Sequence, residues 1–437
     1  MKNPLEITRR DFVAAGGTAL AASAAPFSAS AAPRRMRIAQ VGTGSRGLHW
    51  GADLIASYAG QVEMVGLCDI NPKRVLAAKE IMRAQCPTFV DFDKMIKETA
   101  PDVVLVTTTD AAHYTYIIRA MELGRDVITE KPLCTDEEQL QAILDAEKKY
   151  GRKLTVAFNA RHFPEARKIK ELLLEKAIGD VISVDYQEYL DTNHGASYFR
   201  RWHRLKEYSG TLTVTKSCHH FDQVNWWLEA VPESVVAWGD LKFYGKNNSF
   251  RGVRCRGCQH QQRCQFYWDV TKVHRSMQLY VGAESEDGYF IDGCVWRQDV
   301  NIQDTFTVMT RYSGGARLTY TANSFLPYEG QEIAINGTKG RIDFNMYAAP
   351  GYPDHQLRLT RMFGKSELIQ VQQREGGHGG ADPGVRDLIF RDSGAPDPLK
   401  LKAGSLAGAY SSLVGIAAYR SMERGGQTVQ IRDLVKL

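Results

Sequence analysis

Past its N-terminal segment the chain has no run long and apolar enough to cross a bilayer, which takes about 20 consecutive apolar residues. No membrane insertion is therefore expected. Neither sign of charge dominates: 55 Lys and Arg stand against 50 Asp and Glu, a formal net charge of +5. The cations are interspersed with acids instead of gathered in a patch, which excludes the electrostatic footprint of a nucleic-acid binder. Tandem repeats and low-complexity segments are also missing after the first residues, so no repeat architecture is expected. Cysteine is sparse and unevenly spread. Four of the eight, Cys68, Cys86, Cys134 and Cys218, stand alone in apolar or turn settings, where a buried free thiol is the ordinary state.

What is present begins with Thr8-Arg9-Arg10-Asp11-Phe12-Val13, then a weakly apolar Ala/Gly stretch and the small-residue exit Ala29-Ser30-Ala31. A basic start, a short apolar segment and an Ala-x-Ala-like cut site read as a twin-arginine export signal over residues 1–31. The segment is shorter and less apolar than a membrane span. The mature protein is thus expected in the periplasm or secreted. Because that route carries folded proteins, a ligand bound in the cytoplasm would travel with the chain. Of the 437 residues, about 400 remain after the signal, too many for one core and enough for two domains.

The first domain, residues 35–158, opens with a strand over Arg37–Val41, the turn Gly42-Thr43-Gly44-Ser45-Arg46-Gly47 and a helix from near Leu48. That order is the one a dinucleotide site requires. Gly42 permits the tight turn, Gly44 lets backbone approach a pyrophosphate, and Gly47 lets helix and strand pack closely. The helix start, with Ser45 and Arg46, offers unpaired N–H groups to an anion. A second strand, Val62–Cys68, ends in Asp69, where a ribose-binding acid stands. Asp69 favours NAD, because a carboxylate accepts the 2′-hydroxyl and repels a 2′-phosphate. Arg46, Lys73 and Arg74 are cations that leave NADP open.

Strands over Asp102–Thr107, Asp126–Thr129 and Lys153–Phe158 then alternate with helices over Tyr114–Leu123 and Asp136–Tyr150. Near-continuous apolar strands alternating with helices predict a parallel sheet covered on both faces. Ligands of such sheets bind at the carboxyl ends of the strands, and there the chain places Thr108, His113, Glu130 and Lys131. The bond before Pro132 is a candidate cis peptide.

Glu130-Lys131-Pro132 after a strand, Thr109 to His113 before it and the glycine turn upstream resemble the Gfo/Idh/MocA family of nicotinamide-dependent sugar and polyol oxidoreductases, which also holds NAD-dependent glycosidases. The resemblance spans nearly the whole mature chain and is strongest over residues 36–165 and 208–228. It implies an α/β fold: an N-terminal Rossmann dinucleotide-binding domain and a C-terminal α/β domain with a large, mostly antiparallel sheet. Lys131 would then lie beside the nicotinamide and the reacting hydroxyl. Beside a cationic ring a desolvated lysine is expected to have a lowered pKa.

The second domain is expected over residues 159–404, with a cysteine-containing insertion at about 245–296, and a C-terminal helix and strand over 405–437 packing back on the first domain. The aromatic and basic stretch from His194 to Arg204, with Tyr198 and Trp202, suits a sugar site, which combines flat apolar faces with hydroxyl-binding donors. Arg161, Lys216 and His378, the last in Gly376-Gly377-His378-Gly379-Gly380, complete the expected substrate contacts; Asp382 follows that loop. The resembling family carries Asp, four residues later His, and three after that Asp. His219 and Asp222 match, whereas Thr215 stands where the first acid is expected. Thr215 cannot act as a base, so Lys131 and His219 would share the proton transfer, with His220 as a further candidate. Self-association through the second sheet is expected.

Cys255-Arg256-Gly257-Cys258, with Cys264 and Cys294, resembles a zinc knuckle, and His260 is an alternative fourth ligand. Disulfides in an oxidising compartment and an iron–sulfur cluster stay open beside it. For the whole chain the leading expectation is an exported oxidoreductase moving hydride between a retained NAD and a sugar, polyol or glycoside. A redox-neutral glycosidase working by oxidation, elimination, hydration and re-reduction is the alternative. A sugar-binding relic without activity is the second.

Overall fold

The computed structural model describes residues 34–352, 355–391 and 394–436; residues 1–31, expected from sequence to be an export signal, lie outside the described residues. Six strands form the first sheet: β1 (Met36–Val41), β2 (Val62–Cys68), β3 (Thr88–Phe89), β4 (Val103–Val106), β5 (Asp126–Thr129) and β6 (Leu154–Val156). Their order is β3-β2-β1-β4-β5-β6 and every pairing is parallel. All four residues of β4 are buried, as expected of a strand covered on both faces by crossover helices. Local chemistry sets the helix ends. The Asp136 carboxylate accepts from the Gln139 N–H before the helix Glu137–Tyr150, and Gly151 closes it with φ +59.

The second sheet holds nine strands: β7 (Val181–Asp191), β8 (Pro232–Asp240), β9 (Thr305–Tyr312), β10 (Arg317–Leu326), β11 (Glu329–Gly337), β12 (Gly340–Ala348), β13 (Gln356–Arg361), β14 (Ser366–Ile369) and β15 (Val429–Gln430). They run β14-β13-β12-β11-β7-β10-β9-β8-β15. Only the β7–β10 pair is parallel. Val184, Tyr186, Glu188 and Leu190 of β7 point inward, while Asp185 and Gln187 face out. This period of two gives one face to the core and one to solvent. One apolar cluster runs from Val104 and Val106 through Phe158 and Trp227 to Val184 and Tyr320, so both sheets share a core. No helix among the described residues is long and apolar enough to cross a membrane.

One expectation about the later chain is corrected. The helix Ser405–Glu423 does wedge between the domains, touching β6 and the helix Glu137–Tyr150 on one side and β8 on the other. The strand after it does not return to the first domain. Val429 pairs antiparallel with Val235 of β8, because β8 would otherwise leave a row of backbone groups unpaired at the sheet edge. The insertion adds a further contact with the first domain. Its helix His274–Leu279 buries Leu279 completely among Leu48, Val75, Ala78 and Met82.

Candidate active site

The carboxyl ends of β4 and β5 and the inner face of β7 wall a cleft of about 440 Å³. Gly42 makes the turn after β1 with φ +86; a Cβ there would lie 2.6 Å from the Thr107 carbonyl carbon, and one on Gly47 would lie 2.2 Å from the Gly42 oxygen. The helix Ser45–Ser57 then begins at Gly44 with no cap from that residue's own side chain, and its first N–H, on Ser45, is taken by the Tyr280 hydroxyl.

The bond before Pro132 is cis. Lys131 projects into the cleft and its Nζ donates to the Thr215 carbonyl at 2.7 Å. Burial alone would lower the Lys131 ammonium, but Cys218, Tyr198, Asp110 and Glu130 around it outweigh burial and raise it above its ordinary value. The lowered value expected from sequence is thus reversed in the ligand-free chain, where no second cation stands beside it.

Four polar atoms in the cleft wall are buried without a hydrogen-bond partner: Asp110 Oδ2, His113 Nε2, His203 Nδ1 and His219 Nδ1. Such atoms cost about 1–3 kcal/mol each unless something satisfies them. His113 Nδ1 lies 2.8 Å from the Pro132 oxygen. A carbonyl only accepts, so Nδ1 carries the hydrogen and the neutral ring presents a bare Nε2 lone pair. His219 is held well below its ordinary pKa, by burial first and then by Lys131 and Lys216. It is neutral at pH 7. Asp110 is pushed up to about 7, chiefly by burial, against the pull of Lys131 and a hydrogen bond with Thr215.

The outer wall is aromatic. Trp202 stacks on His203 with ring centroids 3.6 Å apart, and Tyr198 stacks on His194 at 5.5 Å. Flat faces beside bare acceptors are what a ring with hydroxyls needs.

The nucleotide half is bounded differently. Asp69 accepts from the Thr43 N–H at 2.8 Å and the Asn71 N–H at 3.0 Å. Arg74 lies 3.2 Å from Asp69 and 2.6 Å from Asp287 of the insertion. The Ser45 N–H donates to the Tyr280 hydroxyl at 2.7 Å, and Asn71 Nδ2 donates to the Ala283 carbonyl at 3.0 Å. The insertion thus walls the glycine turn and the ribose acid. Arg46 is bound by Glu130 at 2.6 Å and by Asp382 at 2.9 and 3.0 Å. Asp382 also accepts from Asn159 and pairs with His378, which fastens the 376–380 loop to the helix start.

The pattern of the oxidoreductase family's NAD-binding Rossmann fold matches residues 36–158, and that of its C-terminal α/β domain matches residues 170–431. The chain belongs to the Gfo/Idh/MocA oxidoreductase family. A Bacillus subtilis protein named as an oxidoreductase, YteT, is 39% identical over 394 residues, which is 84% of this chain and 91% of its own length. The inositol 2-dehydrogenase/D-chiro-inositol 3-dehydrogenase of Lactiplantibacillus plantarum is 27% identical over 168 residues, 38% of this chain and 45% of that protein. A levoglucosan dehydrogenase solved with NADH and L-sorbose superposes with a TM-score of 0.68 at 18% identity, covering 91% of this chain and 99% of that one. The protein is therefore an oxidoreductase built on an NAD-binding Rossmann domain and an α/β partner domain.

Within this Gfo/Idh/MocA chain the cleft gathers Arg46, Thr108, His113, Glu130, Lys131, Tyr198, Trp202, Lys216, His219, His220 and His378. Arg161 is not among its lining residues. Its guanidinium grips Asp222 with two bonds of 2.7 Å and reaches the Lys400 carbonyl at 2.9 Å, so it braces the helix Cys218–Leu228 instead of meeting substrate. His220 reaches the cleft with its ring already engaged. Nδ1 lies 2.8 Å from the Tyr320 hydroxyl, Nε2 lies 3.6 Å from Glu188, and the ring stacks on Tyr186. Burial lowers it to about 4, which suits it poorly for taking a proton. Lys216 pairs with Glu188 at 2.9 Å.

The zinc knuckle does not form. Among the described residues no group of three or more His, Cys, Asp or Glu side chains comes close enough to hold a metal. Cys255 accepts from Arg200 at 3.0 Å, Cys258 from the His260 N–H at 3.4 Å, and Cys294 from the Gly252 N–H at 3.5 Å. Cys264 packs against the core. The His260 ring turns to Arg263 and Phe250. Separate turns hold the four thiols to separate partners, and no disulfide joins them. Sequence reasoning missed Asp110, Glu188 and Tyr280. Asp110 was visible as an acid three residues before His113; nothing local marked the other two.

Proposed function

We propose that the protein moves hydride between a tightly held NAD and a ring hydroxyl of a sugar, polyol or glycoside. The observation that carries this reading is the set of unpaired atoms on Asp110, His113, His203 and His219 in one cleft with Lys131 and the Trp202 and Tyr198 faces. No described residue satisfies those atoms, and a polyhydroxylated ring has the donors to do so. The inositol and levoglucosan dehydrogenases among its relatives act on rings of that kind by their names.

The glycine turn and Asp69 are the groups that would hold the dinucleotide, together with the Ser45 N–H once the Tyr280 hydroxyl gives it up, and the turn has the bare backbone a pyrophosphate needs. Bound there, the nicotinamide supplies the hydride-accepting carbon. NAD is favoured over NADP because Arg46 and Arg74 each already face two carboxylates, which leaves neither guanidinium free for a 2′-phosphate. Lys131 orients the reacting oxygen, and the neutral His219 ring supports the same oxygen through its unpaired nitrogen. We further propose export by the twin-arginine route with the nucleotide in place, on the sequence of residues 1–31, and self-association through the second sheet.

The test is to purify the full chain from the periplasm, denature it and quantify released nucleotide by mass spectrometry. About one NAD(H) per chain is expected, with its absorbance changing when myo-inositol, levoglucosan or D-glucose is added. Protein free of nicotinamide nucleotide and without affinity for either form would overturn the reading.

A further inference from the structure

We infer that Asp287, on the insertion of the second domain, sets the nucleotide preference of this protein by neutralising the arginine that would take a 2′-phosphate, while Glu286 beside it holds the neighbouring lysine. The inference rests on the nucleotide-binding part of the reading above and names the residues that fix its selectivity. Asp69 follows β2, and the helix Pro72–Met82 after it begins with two cations, Lys73 and Arg74. A cation just past the ribose acid is what accommodates a 2′-phosphate. Left unpaired, these two would be the groups to bind one.

Both are taken by the insertion. Arg74 Nη2 lies 2.6 Å from Asp287 and Nη1 lies 3.2 Å from Asp69. Lys73 Nζ lies 2.8 Å from Glu286 and donates to the Ser285 hydroxyl at 2.7 Å. The two pairs are unequal. The Arg74 and Asp287 side chains are 10% and 21% exposed, those of Lys73 and Glu286 50% and 32%. An exposed pair is worth little and is screened by salt, so Asp287 carries the selection and Glu286 adds to it. The insertion is also fastened in place. Leu279 is buried among Leu48, Val75, Ala78 and Met82, the Tyr280 ring centre lies 5.7 Å from the Arg74 guanidinium carbon, and Asn71 Nδ2 donates to the Ala283 carbonyl.

With a carboxylate on each side, the Arg74 guanidinium adds no net positive charge beside Asp69. A 2′-phosphate, which carries a charge of about −1.5 to −2 at pH 7, would have to displace Asp287 or stand against Asp69 and Asp287 together. A 2′-hydroxyl is neutral and meets neither cost. Arg74 also keeps one buried nitrogen, Nε, with no hydrogen-bond partner. A buried donor left bare needs an explanation, and a ribose oxygen can accept from it. The place thus offers a donor to a hydroxyl and no spare cation to a phosphate.

Equilibrium competition tests this by occupancy, without turnover. The full chain is incubated with equimolar NADH and NADPH in excess until exchange is complete, free nucleotide is removed, and what was bound is counted by mass spectrometry after denaturation. The parent should hold NADH over NADPH by about tenfold or more. Asp287→Asn should move that ratio toward NADPH by about tenfold, and Asp287→Asn/Glu286→Gln should move it further. Asp287→Glu keeps the charge and should keep the parental ratio. Glu286→Gln alone should shift it by less than about threefold. An unchanged ratio in Asp287→Asn overturns the inference. So does an equal loss of both nucleotides, which would leave the insertion a wall with no part in selection, and so does a parent that prefers NADPH. A parent that binds neither nucleotide sinks the nucleotide reading itself, whereas a parent that holds NADH beside variants that do not shift leaves that reading standing and removes Asp287 alone.

Discussion

Asp382 is the residue whose loss the structure prices most directly. It is 4% exposed and accepts from Arg46 at 2.9 and 3.0 Å, from Asn159 at 2.8 Å and pairs with His378 at 2.9 Å. Removing one partner of a buried ion pair costs about 3–5 kcal/mol. The Arg46 side chain is 27% exposed and keeps Glu130 at 2.6 Å, so we expect a loss just below that range, about 2–3 kcal/mol, for Asp382→Ala. A chain of this length has an unfolding entropy of about 0.8 kcal/mol/K, so the midpoint in scanning calorimetry should fall by about 3–4 °C. Asp382→Asn should lose nearly as much, because charge and not shape is removed. The pH dependence separates this account from its rival. Burial alone would raise the Asp382 carboxyl, but the bonds and charges of His378 and Arg46 hold it well below the usual carboxylate range. A depressed folded value gives stability that is full above the unfolded pKa, about 3.9, and is lost as pH falls through the folded one. The gap between parent and variant should therefore stay constant from about pH 8 to pH 5 and narrow only below about pH 4. A gap that changes between about pH 8 and pH 5 would refute the reasoning.

Lys131→Ala should slow single turnover by about a hundredfold or more while the nucleotide stays bound; a near-parental rate, or an empty protein, would count against its place beside the reacting oxygen. His219→Ala should cost more turnover than His220→Ala, whose ring is tied to Tyr320 and Glu188 and whose loss should appear in thermal stability instead. Tyr280→Ala should release bound NAD faster, on the order of tenfold in stopped-flow displacement, equivalent to about 1.4 kcal/mol. Tyr280→Phe keeps the wall and should stay near the parent, so equal release from all three proteins would remove the insertion from any role in retention.

Much of the first domain was legible because its signals are local. Strand, glycine turn, helix and Asp69 follow within a few dozen residues, and each glycine has a steric reason that the structure repeats at Gly42 and Gly47. The side-chain partners were not legible, because they are chosen across the chain. Arg46 meets Asp382 across 336 residues and the Ser45 N–H meets Tyr280 across 235; no periodicity encodes either. Arg161 looked like a substrate contact until Asp222, 61 residues on, took both arms of its guanidinium. The cysteines show the same gap between spacing and geometry. Cys255 and Cys258 have the spacing of a knuckle, yet Arg200 and the His260 N–H take their sulfurs.

The walls around the nucleotide half bear on the proposed chemistry. On the proposed reading, a nucleotide retained behind Tyr280, Ala283 and Asp287 would be reoxidised where it sits, by a second molecule entering the same cleft. The group that takes the proton in the first half must then return it in the second, at the same pH. A base with a pKa far below the medium accepts poorly, and an acid far above it donates poorly, so a reversible carrier works best near the operating pH. His219 lies too low and Lys131 too high for that exchange. Burial pushes the Asp110 carboxyl of the same cleft up to about 7.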